Sequence, residues 1–287
     1  MTSPTITPPT ADGPRQAVLP GRSIPPWLGR AGSWFLNVFA LVGFVYLFAP
    51  IFVTVLFSFN QPKSKFNLVW QGFTFENWLH PFARSSLTDA LVESLKVAAV
   101  STLAATIMGS LIAIALSRYR FRGGAIINLL LVLPLTTPEI VMGASLLNLF
   151  VDRGVQRGFW TIVIAHVMFS VSFVALTVKA RIRGFDWTLE DAAMDLGAPP
   201  LRTFRKVTFP LILPGILAAG LLSFSLSIDD YIITTFTAGQ TITFPLQIAG
   251  AFQREISPQI NVLASMILLV SVGLLAVGTL VRRRGAT

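Results

Sequence analysis

The chain has 287 residues, of which 53% are apolar and 12% are charged, with a net charge of +9. Because soluble chains carry about 25% charged residues, this composition excludes an ordinary soluble domain and a disordered protein, and predicts an all-α integral membrane protein. The sequence has no cysteine, which excludes disulfides, thiolate metal sites and cysteine nucleophiles. Its two histidines, His80 and His166, are too far apart in the chain to suggest a metal motif.

Residues 1–33 are rich in Pro, Thr and Gly and contain no long apolar run, which predicts a disordered cytoplasmic tail and not a cleaved signal peptide. A bilayer core of about 30 Å requires about 20 apolar residues per helix. The sequence therefore predicts one domain of six transmembrane helices at 34–284, with a short tail at 285–287. The predicted spans cover residues 34–59, 91–116, 125–150, 159–179, 210–235 and 259–281.

Basic residues are distributed unequally between the two sides that six spans create. Fifteen Lys and Arg residues fall in the N-terminal tail, the loops after spans 2 and 4 and the C-terminal end, against six in the other loops. By the positive-inside rule, this asymmetry places both termini in the cytoplasm. The same distribution accounts for the positive net charge without a nucleic-acid-binding module.

Three acidic residues fall within predicted spans, namely Glu139 in span 3 and Asp229 and Asp230 in span 5. Because a charged side chain at the bilayer centre costs about 2.5 to 3.5 kcal/mol, such acids usually face a cavity or a partner. We expect Glu139 and one or both aspartates to line a path for a cationic solute, while Tyr231 offers an aromatic face to an ammonium group. The alternatives are structural acids, which pair with a second membrane subunit or cap broken helices, and a proton relay.

Other polar and small residues of the spans predict packing and not chemistry. We expect His166 to hydrogen-bond a backbone or hydroxyl group, for instance that of Ser170. Small residues in spans 2 and 5, such as Gly109 and Gly215, predict close approach between helices of this chain, or else a seam with a second subunit.

The loop between spans 4 and 5, residues 180–209, is long enough to have structure of its own. Thr188 followed by Asp191 matches a capping box, and Glu190 adds negative charge to the first turn of a helix. Gly197 can end that helix in the left-handed conformation. The loop therefore predicts one short helix.

This short helix, Leu189–Leu196, has a narrow apolar stripe with small residues at its centre. The stripe consists of Leu189, Ala192, Ala193 and Leu196. Small residues permit close approach to another surface, whereas lipid does not require them. From the residues alone, the helix is either a docking element or an amphipathic connector at the headgroups.

The same loop resembles the EAA motif of ABC importer permeases, which reads EAA, three residues, G, nine residues, I, one residue, LP. Here Asp191-Ala192-Ala193 precedes Gly197 and Val207-Thr208-Phe209-Pro210 at matching spacings, with Asp for Glu, Val for Ile and Phe for Leu. The resemblance implies the MetI-like type I ABC importer permease fold, in which this helix docks on a separate ATPase and transmits its closure. The implied coupling residues are Asp191, Ala192, Ala193, Leu196, Gly197 and Arg202.

Three further segments are similar to spermidine/putrescine permeases of the PotC type, at residues 138–142, 225–230 and 257–264. This resemblance implies a polyamine importer of the bacterial plasma membrane, in which the chain forms half of the translocation pore. It implies three partners besides lipid: a dimer of ATP-binding cassette ATPases, a second, PotB-like permease and an extracytoplasmic, PotD-like substrate-binding protein. An importer of another small organic solute or a metal ion is the alternative within this class.

No phosphate-binding loop, dinucleotide pattern or catalytic arrangement of side chains occurs in the sequence. We therefore expect a transport subunit and not an enzyme, with no cofactor of its own and with ATP hydrolysed in a partner chain. The alternative from a different class is a proton-coupled secondary carrier, for which uptake would not depend on an ATPase.

Overall fold

The computed structural model describes residues 26–119 and 122–284, and in these ranges the chain is helical, with two isolated β-bridges and no strand. The helices are α1 (Pro26–Phe57), α2 (Glu76–Leu79), α3 (Ser85–Arg118), α4 (Gly124–Thr136), α5 (Glu139–Asp152), α6 (Phe159–Ile182), α7 (Thr188–Asp195), α8 (Pro200–Thr203), α9 (Phe209–Ile228), α10 (Ile232–Thr237), α11 (Phe244–Ala251) and α12 (Pro258–Arg284), with a π-helical turn at Phe204–Thr208 between α8 and α9.

Four stretches of helix are long and apolar enough to cross a membrane: Trp34–Phe57, Ser85–Arg118, Phe159–Ile182 and Pro200–Ile228. A bent pair, α4 and α5, raises the number to five if the pair is one span. The sixth predicted span coincides with α12, whose described part includes the apolar stretch Pro258–Val270. The prediction of a helical membrane protein is confirmed.

Most of the first helix belongs to a compact unit that ends at Val53, and a second unit begins at Thr54 with the last residues of this helix. From Trp34 onward, α1 exposes most of its side chains, as a lipid-facing helix does. It begins at Pro26, inside the segment predicted as a tail. Residues 1–25 and 285–287, where the sequence also predicts tails, lie outside the described residues.

The third predicted span is not one continuous helix, because α4 and α5 meet at an angle of 106°. Pro138 has no N–H to continue the helix, and it disfavours the helical conformation for the residue before it. Thr137 accordingly is extended, with ψ at 130°. The break exposes the first turn of α5, where Glu139 lies.

The core of the second unit lies where α3, α6 and α9 pack together around Ala105, Ala113, Val174 and Ile212. Small residues make this packing possible. A Cβ atom on Gly109 would lie 2.7 Å from Val174 Cγ1, and one on Gly215 would lie 2.6 Å from Arg181 Cγ. The prediction that these glycines serve packing between helices of this chain is confirmed.

The segment between α1 and α3 is folded around buried amides. Asn60 Nδ2 donates to Asn67 Oδ1 at 2.6 Å, and Asn77 Nδ2 donates to the carbonyl of Asn60 at 2.8 Å. The backbone N–H of Asn67 donates to the carbonyl of Ile256 at 2.9 Å, which joins this segment to the loop before α12. Both segments therefore lie at the same end of the helix bundle.

Candidate functional site

A cavity of about 400 Å³ lies beside the break between α9 and α10. Its walls come from the end of α9, the break, α11 and α12. The lining residues are Ile228, Asp229, Tyr231, Phe244, Pro245, Ile248, Ala249, Phe252 and Ile267. Of these lining residues, Asp229 and Tyr231 carry polar groups on their side chains, and the others are apolar.

The two adjacent aspartates both lie in the break, but their side chains differ in exposure. The fifth span was predicted to continue to residue 235, but α9 ends at Ile228 and a new helix begins at Ile232. Asp229 is exposed, whereas the side chain of Asp230 is only 6% exposed and turns into the protein. Of the pair, Asp229 is the residue that lines the cavity.

Asp230 caps the helix that follows the break. Its Oδ2 accepts hydrogen bonds from the backbone N–H of Thr234 at 2.8 Å and from Thr234 Oγ1 at 2.7 Å. An acidic side chain at this position satisfies a backbone donor that the first turn of a helix leaves without a partner. This is one of the structural roles that the sequence left open for these acids.

His166 of α6 lies beside Asp230 and is 1% exposed. Its Nδ1 lies 2.7 Å from Ser227 Oγ, and its Nε2 lies 2.9 Å from Thr234 Oγ1 and 3.3 Å from Asp230 Oδ2. The prediction that this histidine bonds hydroxyl groups is confirmed, although the partners are Ser227 and Thr234 and not Ser170. Only the tertiary structure brings these residues of α6, α9 and α10 together.

Glu139 lies on the exposed first turn of α5, directly after the break from α4. The helix α5 packs closely on α10, since a Cβ on Gly143 would lie 2.5 Å from Phe236 Cδ2. The two broken regions of the chain, α4–α5 and α9–α10, are therefore neighbours. Glu139 is not among the residues that line the cavity beside Asp229.

The short helix predicted at Leu189–Leu196 is present as α7, at Thr188–Asp195. Its beginning differs from the predicted capping box, because Thr188 is the first helical residue and not the cap. The Asp186 carboxylate takes that role, accepting from the Thr188 hydroxyl at 2.8 Å and from its backbone N–H at 3.0 Å. Both hydrogen bonds lower the pKa of the Asp186 carboxyl below its usual range, and the bond from the Thr188 hydroxyl has the larger effect.

The predicted end of α7 is confirmed. Gly197 has φ at +83°, and the N–H of Ala198 donates to the carbonyl of Ala193 at 3.1 Å, in a Schellman motif. The carbonyls at the end of the helix are thus satisfied without extending it. The helix stops sharply at the position that the motif requires.

The predicted coupling residues lie at the surface. Asp191, Ala192, Gly197 and Arg202 are exposed, Ala193 is half-buried, and Leu196 is 91% exposed. The neighbouring Leu189 and Leu201 are exposed as well. A small apolar surface with charged neighbours is therefore available at this end of the bundle.

The sequence did not predict how α7 is held against the bundle. Glu190 is 2% exposed; its Oε2 lies 2.8 Å from Arg118 Nη2 of α3, and its Oε1 accepts a hydrogen bond from Thr208 Oγ1. Arg118 also lies over the Trp187 ring, 5.8 Å from its centroid. The available signal was the helical period, which places Glu190 about 200° from Ala192 and so on the opposite face.

Comparison with known proteins identifies a family and several relatives that the chain resembles. The family model described as binding-protein-dependent transport system inner membrane component matches residues 105–284. The chain is 37% identical over 249 residues to the spermidine/putrescine transport system permease protein PotC of Haemophilus influenzae, covering 86% of this chain and 96% of that protein. It is 38% identical over 240 residues to the putrescine transport system permease protein PotI of Escherichia coli, covering 80% and 84%.

A solved structure shares the fold. A bacterial alginate ABC transporter in complex with alginate pentasaccharide-bound periplasmic protein matches with a TM-score of 0.59 at 15% identity, covering 87% of this chain and 93% of that chain. With the family match over most of the second unit, this places the fold among MetI-like permeases. The chain belongs to the family of binding-protein-dependent transport system inner membrane components, as a multi-pass membrane permease subunit.

Proposed function

We propose that this chain is one of two permease subunits of an ATP-driven importer of polyamines, and that the cavity at the α9–α10 break is part of the solute path. The observation that carries the proposal is that Asp229 and Tyr231 both line an otherwise apolar cavity. Relatives that are 37% and 38% identical over the aligned residues are named for spermidine and putrescine, which supports the substrate class.

The chemistry of the cavity suits a protonated polyamine. The carboxylate of Asp229 pairs with an ammonium group, and an aromatic face attracts the same group by roughly 0.5 to 2 kcal/mol. The apolar walls accommodate the methylene segments between the amines. One carboxylate binds a cation weakly enough to release it, as a transport path requires. Glu139, at the adjacent α4–α5 break, supplies a second acid of the path.

In the proposed assembly, six spans cross the membrane with both termini in the cytoplasm. The bent pair α4–α5 is the third span and α12 the sixth. A PotB-like permease forms the other half of the pore, and a PotD-like binding protein delivers the solute on the extracytoplasmic side. The solved complex of an ABC transporter with a periplasmic protein supports this type of assembly.

The exposed face of α7 is the proposed docking surface for one subunit of an ATPase dimer. Leu196 and Ala192 enter a groove of the ATPase, while Asp191 and Arg202 form polar contacts at its rim. Ala193 permits close approach, and Gly197 ends the helix so that it fits the groove. ATP binding closes the dimer and turns the pore outward; hydrolysis resets it.

The test is uptake of labelled spermidine and putrescine by cells that lack this chain, complemented with wild type, Asp229→Asn, Asp229→Glu or the exposed control Asp89→Asn at matched membrane levels. We expect wild type and the control to restore uptake, and Asp229→Asn to raise KM about tenfold or more because the ammonium group no longer has a charged partner. Asp229→Glu should retain more activity than Asp229→Asn.

Two results would contradict parts of this proposal. If wild type restores the uptake of neither amine, the substrate is another solute; if Asp229→Asn leaves KM unchanged, the cavity is not in the path. Uptake that survives deletion of the ATPase subunit would indicate a proton-coupled carrier instead.

A further inference from the structure

We propose that His166 is a positioning residue for solute binding, which orients Asp229 and Tyr231 through a buried hydrogen-bond network. This inference rests on the proposed function of the cavity, but it concerns residues that do not line the cavity. The network consists of Ser101, Ser227, His166, Thr234 and Asp230.

The network joins four of the helices at the break. Ser101 belongs to α3, His166 to α6 and Ser227 to the last turn of α9, while Thr234 is in α10. Ser101 Oγ lies 3.0 Å from Ser227 Oγ and donates to the carbonyl of Val97 at 2.7 Å. His166 therefore connects the two sides of the broken span to the packed core.

The pairing of these hydroxyls distinguishes them from their neighbours. Among the described residues, the buried hydroxyls of Ser170, one turn along α6 from His166, and Ser223, one turn along α9 from Ser227, have no hydrogen-bond partner. Each hydroxyl of the network has one. Leaving a buried polar group without a hydrogen bond costs free energy. The hydrogen bonds among these hydroxyls are therefore a specific feature of this region.

The network determines where the cavity residues point. Ser227 precedes Asp229 by two positions, and Asp230 lies between Asp229 and Tyr231. Because the Asp230 side chain is fixed inward by Thr234 and His166, the residues on either side of it present their side chains to the cavity. Without these hydrogen bonds, the break can adopt other backbone conformations, and Asp229 and Tyr231 no longer lie together in the cavity lining.

The first test compares Thr234→Val with Thr237→Val in the complete transporter in cells. Thr237 is a matched control, since it is buried on the same helix and its hydroxyl donates to the carbonyl of Ile233 at 3.0 Å, outside the network. We expect Thr234→Val to raise KM for spermidine about tenfold, with Vmax and membrane level close to wild type, because the substitution removes a buried hydrogen-bonding hydroxyl from the network. Thr234→Ser, which keeps the hydroxyl, should restore KM, and Thr237→Val should leave it unchanged.

Two further comparisons address the network as a unit. Ser227→Ala should raise KM, whereas Ser223→Ala, which removes an unpaired hydroxyl from the same helix, should not. Thr234→Val should add little to the effect of His166→Leu, because residues that act in one network are not additive. Full additivity of the two substitutions would overturn the proposal.

A second readout does not depend on transport. Because the chain has no cysteine, Tyr231→Cys provides a unique site for a cationic methanethiosulfonate reagent. We expect spermidine to slow the labelling of this site, and Thr234→Val, but not Thr237→Val, to change the labelling rate several-fold.

The two hypotheses fail in different ways. If spermidine protects the cysteine but Thr234→Val behaves like Thr237→Val in both KM and labelling rate, the positioning role of His166 is wrong while the cavity remains the solute path. If spermidine gives no protection and Asp229→Asn leaves KM unchanged, the proposed path is wrong, and the labelling rate in Thr234→Val still decides whether the network orients residue 231.

Discussion

At the scale of single residues, Glu190 and Arg118 determine how firmly α7 is held to the bundle. Glu190 is almost fully buried, whereas the Arg118 side chain is 32% exposed. Removing one member of a buried charge pair leaves the other without compensation, while replacing both by apolar groups does not. The pair is therefore a sensitive connection between the proposed coupling helix and α3.

We predict that Glu190→Gln lowers stability by about 1 to 3 kcal/mol and reduces uptake, since the charge on Arg118 loses its partner. The measurement is thermal unfolding of the purified transporter in detergent, together with uptake in cells. The double variant Glu190→Leu/Arg118→Met should recover part of the lost stability. A double variant no more stable than Glu190→Gln would show that the ion pair does not hold α7.

The two aspartates at the break between α9 and α10 were only partly predictable from the sequence. The sequence identified both aspartates as unusual, because carboxylates are costly in a span, and their different directions follow from adjacent backbone positions. The sequence could not show which of the two aspartates lines the cavity. That depends on His166 and Thr234, which are far apart along the chain from each other and are brought together by the packing of α6 against α10.

At the scale of elements, α7 is defined by its two ends. Asp186 satisfies the first donors, and Gly197 reverses the chain with positive φ. A side chain at residue 197 would meet no atom within 4 Å, so the requirement for glycine is one of backbone conformation and not of space.

We predict that Gly197→Val reduces uptake several-fold at normal membrane level, because a β-branched residue is strained by about 1 to 2 kcal/mol or more in the left-handed conformation. Gly197→Asn is the matched variant, since asparagine tolerates this conformation, and it should retain most of the uptake. Equal activity of the two variants would mean that the sharp stop of α7 is not needed for coupling.

The breaks in spans 3 and 5 differ in whether a helix-breaking residue lies at the break. The proline before Glu139 cannot continue a helix, and the structure has a 106° break there. No proline or glycine lies at the Asp229–Tyr231 break, so the apolar pattern alone predicted a continuous helix to residue 235. The buried network accommodates this break, because it supplies hydrogen-bond partners for polar groups that a broken helix leaves unpaired.

At the scale of the whole molecule, the proposed orientation in the membrane follows from the distribution of basic residues. It places α7 in the cytoplasm and the segment between α1 and α3 outside. That segment is joined to the loop before α12 by the Asn67–Ile256 hydrogen bond and by an ion pair of Arg84 with Glu255. The hydrogen bond from Arg84 lowers the pKa of Glu255, so the pair is lost only as pH falls below the usual range of a glutamate.

We predict that a membrane-impermeant maleimide labels Ser64→Cys in intact cells, but labels Leu196→Cys only after the membrane is opened. Both positions are exposed, and the chain has no other cysteine to react. The opposite pattern would reverse the proposed orientation. Labelling of both sites in intact cells would contradict the assignment of these two segments to opposite sides.

The sequence by itself determined the membrane character, the approximate positions of the apolar helices and the place of α7, because each of these depends on local composition or on residues close together in the chain. The motif spacing that carries the family resemblance is local in the same way. Only the tertiary structure decided that Asp230 turns inward, that Glu190 pairs with Arg118, and that Asp229 and Tyr231 share one cavity. These depend on helix packing, which joins residues distant in sequence, and no local pattern encodes such partners.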